Sequence, residues 1–96
     1  MRLLPLSAFA EVFEPLRGRL YLGRKEPARA RRLLEEAIPR FAESVPLRLL
    51  LSHALLQEGR DWAGAEKALL DVLTLDPDNQ QAKENLQTLR RRGARS

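Results

Sequence analysis

The sequence contains no cysteine and only one histidine, one tryptophan, one tyrosine and one methionine. Without thiols there is no disulfide framework, no thiolate-held zinc and no cysteine nucleophile. The lone histidine, His53, has no second ligand at i+3 or i+4 except Gln57, a poor one, so no metal site is expected. Nor does it stand in a serine–histidine–aspartate arrangement that would activate a nucleophile. Gly18 and Gly23 have the spacing of a phosphate loop, but Arg24 stands where its lysine belongs and no hydroxyl follows. Asp76, Asp78 and Glu84 are interrupted by Pro77 and lack the loop glycine of a calcium site, which leaves them as helix caps and surface charges. No apolar run approaches the roughly 20 residues needed to span a bilayer. These absences predict a chain with no catalytic activity, no cofactor, no metal and no membrane segment.

What is present describes one helical domain. The chain has 96 residues, 44% of them apolar and 31% charged, which is ordinary globular usage. Seventeen basic residues face 13 acidic ones, and all the basic residues except Lys25, Lys67 and Lys83 are arginine. That preference fits the codon usage of a GC-rich genome. Arg90, Arg91, Arg92 and Arg95 form a basic end, and Arg29, Arg31 and Arg32 cluster further upstream. Glu35 and Glu36 neutralise the second cluster and no aromatic platform accompanies the first, so nucleic-acid binding is not expected. The opening Met1-Arg2-Leu3-Leu4-Pro5-Leu6 imitates a signal peptide, but its apolar stretch is short and broken by proline. It is expected to lead into a helix, in a cytoplasmic protein.

Punctuation residues divide the chain into five segments of helical spacing. Ser7 is placed to cap the first, which runs to Leu22 with Phe9, Val12, Phe13, Leu16 and Leu20 at threes and fours. Pro27 opens the second, with Ala30, Leu33, Leu34, Ala37, Ile38 and Phe41 on one side, and Pro39 is expected to kink or end it near Ile38. Ser44 opens a third that buries Leu47, Leu51, Ala54 and Leu55 and stops at Gly59. Asp61 caps a fourth through Ala65, Ala68, Leu69, Val72 and Leu73. Asp78, with Gln81 three residues on, resembles a capping box for a fifth that uses Ala82, Leu86 and Leu89.

The segments repeat. A shift of 34 sets Gly18 on Ser52, Tyr21 on Leu55 and Leu22 on Leu56; a shift of 35 sets Ala30 on Ala65, Leu34 on Leu69 and Ala37 on Val72. Gly18-x-x-Tyr21, the Ala30/Leu34/Ala37 spacing and the closing phrase Leu75-Asp76-Pro77-Asp78-Asn79 resemble the tetratricopeptide repeat. The resemblance implies an all-α, right-handed superhelix of five helices. Residues 1–10 would lead in, 11–44 and 45–79 would be two repeats, 80–91 a capping helix and 92–96 a basic tail. Glu14 and Arg48 depart from the family's preferred tryptophan, Arg17 from its leucine and Ala42 from its proline.

The resemblance also implies the function: a non-catalytic scaffold whose concave groove receives a peptide or helix. By it the groove would show Val12, Arg19, Leu22, Leu49, His53, Leu56, Gln57, Glu84 and Thr88. Leu49 and Leu56 exceed what intramolecular packing needs; either they floor an open groove or the fifth helix curls back over them. Pro15, Arg19, Leu50 and His53 occupy the sites where some relatives clamp a terminal carboxylate with lysine and asparagine, so a chaperone-tail receptor is not expected. The phrase around Ser52–Trp62 also resembles repeats in the tails of larger bacterial enzymes such as glycosyltransferases. The alternative to a peptide receptor is therefore a self-associating (homodimeric) or spacer domain with no separate ligand.

Overall fold

After the first, each helix begins where the chain supplies an acceptor for its unpaired N–H groups or a proline that has none to pair. The computed structural model describes the backbone of residues 6–93 and the side chains of residues 12–92. It contains α1 (Leu6–Gly23), α2 (Pro27–Ala37), a single 3-10 turn (Ile38–Arg40), α3 (Val45–Glu58), α4 (Trp62–Leu75) and α5 (Gln80–Gly93). Among the described residues there is no strand. Ser44 Oγ accepts from the Leu47 N–H at 3.3 Å, and the Asp61 carboxylate accepts from the Gly64 N–H at 2.9 Å. Pro39 acts as expected: α2 stops at Ala37 and the chain tightens into the 3-10 turn.

Three local expectations are corrected. The cap of α5 is Asn79, not Asp78: Asn79 Oδ1 accepts from the Ala82 N–H at 2.9 Å, while the Asp78 side chain is fully exposed. The turn after Pro77, closed by the Asn79 N–H to Asp76 O bond at 3.0 Å, carries Asn79 rather than Asp78 to the helix end. Helix α1 starts at Leu6, ahead of Ser7, and α5 continues through Arg91 and Arg92 to Gly93 instead of ending at 91. Residues 1–5 of the lead-in and 94–96 of the basic tail lie outside the described residues, as do the side chains of Ser7 and Phe9.

Two apolar clusters lie side by side along the stack. Ala30, Leu34, Ala37, Leu47, Leu50 and Ala54 form one; Leu55, Ala65, Ala68, Leu69, Val72, Ala82, Leu86 and Leu89 form the other. Leu50, not Leu51, joins Leu47 as a leucine that α3 buries in the first cluster, and Leu51 is half-buried and packs against both. Small residues set the helix separations. A Cβ on Gly18 would stand 3.3 Å from Leu34 Cδ2, so α1 approaches α2 and α3 through this glycine. Ser52 is fully buried and satisfies its hydroxyl by donating to Leu49 O at 2.6 Å.

That approach decides the roll of α1. The helix turns Glu14, Pro15 and Gly18 inward, and the apolar residues that define its periodicity face out: Val12, Phe13, Leu16 and Leu20 are all at least half exposed. The result is a slab of 57 × 29 × 18 Å, longer than it is thick because each helix pair meets only its neighbours.

The turns repeat as faithfully as the helices. Gly59 closes α3 at φ 68°, and Lys25, 34 positions earlier, holds the same left-handed conformation at φ 59°. Only glycine takes it without a steric cost of roughly 1–2 kcal/mol. Gly59→Ala is expected to destabilise the fold by about 1 kcal/mol, and Lys25→Gly to be neutral or stabilising, both read from urea denaturation midpoints. A Lys25→Gly variant less stable than the parent would contradict the steric account.

Candidate partner-binding groove

The first helices of the pairs, α1 and α3, together with α5, line a common face. Arg19 and Leu22 from α1, Pro46, Leu49, Leu50 and His53 from α3, and Gln81 from α5 enclose a depression of about 330 Å³. Next to it, Leu56 and Gln57 from α3 with Asn85, Thr88, Leu89 and Arg92 from α5 enclose another of about 300 Å³. Leu49 and Leu56 are two helical turns apart, about 10 Å, and each is half-buried against the C-terminal cluster. They are neither free groove leucines nor covered core: α5 leans over them and leaves part of each in solvent.

His53 marks the boundary between the depressions. Its Nε2 lies 3.0 Å from the Gln81 amide nitrogen and 3.3 Å from that of Asn85. An amide nitrogen only donates, so as placed the ring presents its Nε2 lone pair and carries its proton on Nδ1. Gln81 and Asn85 are one turn apart on α5, which lets both reach a single ring nitrogen. Burial of the imidazole pushes its pKa below the ordinary histidine value. At the other end of the face the exposed Gln57 amide donates a long hydrogen bond, 3.4 Å, to Leu22 O.

Of the residues expected in the groove, Arg19, Leu22, Leu49 and His53 meet in the first depression and Leu56, Gln57 and Thr88 in the second. Val12 and Glu84 line neither. Val12 stands on the outward side of α1, and Glu84 accepts a hydrogen bond from Gln80 at 3.2 Å. Sequence reasoning missed Gln81 and Asn85. Their four-residue spacing on a helix one repeat beyond His53 was the available signal. The side chains of Arg19 and Arg92, one in each depression, make no ion pair or hydrogen bond among the described residues.

A larger cleft of about 510 Å³ lies at the turns, lined by Lys25, Glu26, Arg29 and Arg32 from the start of α2 and by Glu58 and Arg60 from the end of α3. Both of its carboxylates are paired within the fold. Arg31 donates to Glu58 at 2.6 Å, joining α2 to α3, and Arg29 reaches Glu26 at 3.5 Å. The hydrogen bond from Arg31 to Glu58 raises the already high pKa of that guanidinium. Among the described residues no group of three or more His, Cys, Asp or Glu side chains is placed to hold a metal ion, and no helix is long and apolar enough to cross a membrane.

The helix-pair geometry agrees with what is found by comparison: a model of the tetratricopeptide repeat matches residues 21–89. The chain belongs to the tetratricopeptide repeat family. Neither a curated protein nor a solved structure shows a significant match. Tetratricopeptide repeats serve in general as protein-interaction scaffolds, and the match spans α2, α3 and α4 with most of α5, the helices that build both apolar clusters.

The lowered His53 pKa has a definite consequence for stability. The folded protein binds its proton more weakly than the unfolded chain, whose histidine titrates near 6.5. Stability from this site is therefore present above about pH 6.5 and lost as pH falls through the folded value. Thermal midpoints of the parent should fall on acidification more steeply than those of His53→Gln, which has no titrating group there. Parallel curves from pH 7.5 to pH 5 would remove His53 as the cause.

Proposed function

We propose that this chain is a non-catalytic protein-binding module that receives a peptide or helix across the face shared by α1, α3 and α5. The observation that carries this reading is the pair of adjoining depressions, each with a leucine floor and an unpaired arginine at its margin. The floors, Leu22 with Leu49 and Leu56 with Leu89, offer apolar burial at roughly 25 cal/mol per Å². The rims, Gln57, Thr88 and the two arginines, offer donors that fix the orientation of a bound backbone. The spacing of the floors matches side chains seven apart on a bound helix.

His53 supports a non-catalytic assignment. Its ring nitrogen is engaged by two amide donors, and among the described residues no hydroxyl or carboxylate hydrogen-bonds to it. A general base needs a free lone pair directed at the proton it removes. Here that lone pair holds α5 against α3.

Peptides selected from a random display library on the folded chain test the assignment. Gln57 and Thr88 are exposed, so Gln57→Arg with Thr88→Arg keeps the fold while crowding the second depression. The selected peptides should bind the double variant at least about tenfold more weakly, a typical loss for disruption at the centre of an interface. Unchanged binding places the peptide elsewhere. Light scattering over a hundredfold concentration range reports the competing outcome, in which this face is occupied by a second copy.

A further inference from the structure

The outward side of α1 is not part of the groove. Val12, Leu16 and Leu20 are 62%, 52% and 50% exposed, and Phe13 lies alongside them. Their four-residue spacing makes one continuous ridge, the kind that seats between the side-chain rows of another helix. Basic residues border it. Arg19 stands on one edge, and Arg17 and Arg24 stand on the other, Arg24 just past the end of the helix. Glu14 is the only acidic residue between Val12 and Arg24; it points inward, nearly buried, and pairs with Arg17 at 3.2 Å. The side chains of Arg19 and Arg24 make no ion pair or hydrogen bond among the described residues.

We propose that this face docks an acidic amphipathic helix of a partner protein. Apolar side chains of that helix would pack on the ridge of Val12, Leu16 and Leu20, and carboxylates flanking them would pair with Arg19 and Arg24. The charge pattern selects the occupant. A second copy packed on this face about a two-fold axis would set arginines against arginines along both edges, an arrangement that opposes association. An anionic lipid surface matches the charge but not the shape: the ridge stands only half clear of the fold, whereas an interfacial helix sinks its apolar face roughly 5–10 Å into the bilayer. A partner helix needs only the ridge, and it extends the stack in the way successive repeats extend one another.

The test uses the full chain and a labelled synthetic helix of about 20 residues, long enough to be helical alone, with leucines on one face and glutamates beside them. Fluorescence anisotropy at about 50 mM salt should show binding that weakens at about 500 mM. A peptide with lysines in place of the glutamates, and one with glutamines in place of the leucines, should each bind at least about tenfold more weakly. Leu16→Gln with Leu20→Gln, and separately Arg24→Glu, should cause losses of the same order, with circular dichroism unchanged. Should the double variant lose helicity, Val12→Gln, at the most exposed position of the ridge, takes its place. Gln57→Arg with Thr88→Arg, across the groove face, should leave this binding intact, so the proposal stands or falls separately from the groove reading. Absence of binding, equal binding of the acidic and basic peptides, or insensitivity to the ridge variants overturns it. So does sedimentation of the chain with phosphatidylserine vesicles, or a dimer that Leu16→Gln with Leu20→Gln dissolves.

Discussion

Everything in this fold follows from how closely its helices approach. Gly18, Ala30, Ser52, Ala54, Ala65 and Ala82 are buried where helices cross, and none has a side chain larger than a hydroxymethyl group. Small residues at the crossings let leucines interdigitate on either side at the density of a protein interior. They also fix the roll of each helix. Gly18 shows the consequence most clearly, because turning it toward Leu34 and Leu50 turns Val12, Leu16 and Leu20 away. An apolar stripe on a helix usually names the buried side. In α1 backbone proximity outweighs the stripe.

The architecture was legible in the sequence because its signals are local and repeated. Ser44, Asp61, Pro27, Pro39 and Gly59 each act within a few residues of themselves, and each does in the structure what its chemistry suggests. The repeat spacing then fixes which helices are neighbours. Where expectation failed, two local signals competed for one role, as with Asp78 and Asn79 at the start of α5. The outcome turned on the path of the chain after Pro77, and cap preference alone does not distinguish the two residues.

The groove was legible only in part. Arg19, Leu22, Leu49 and His53 meet because repeat equivalence places them on matching turns. Gln81 and Asn85 escaped notice because a hydrogen bond between helices depends on their separation and tilt, which periodicity does not encode. The state of Leu49 and Leu56 is of the same kind. Whether α5 covers them depends on a few ångströms of lean, and the answer lies between the two alternatives that the sequence left open.

Leu51 lies between the two apolar clusters, half-buried and in contact with both. In a one-dimensional stack, stability is close to a sum of local terms plus the couplings between neighbours. Here the coupling between the N-terminal and C-terminal cores passes through α3, and this one side chain touches the two together. The molecule is therefore two cooperative halves sharing a hinge pin. Opening at either end can proceed as far as α3 before it disturbs the other half, so a partner that clasps one end need not stiffen the far one.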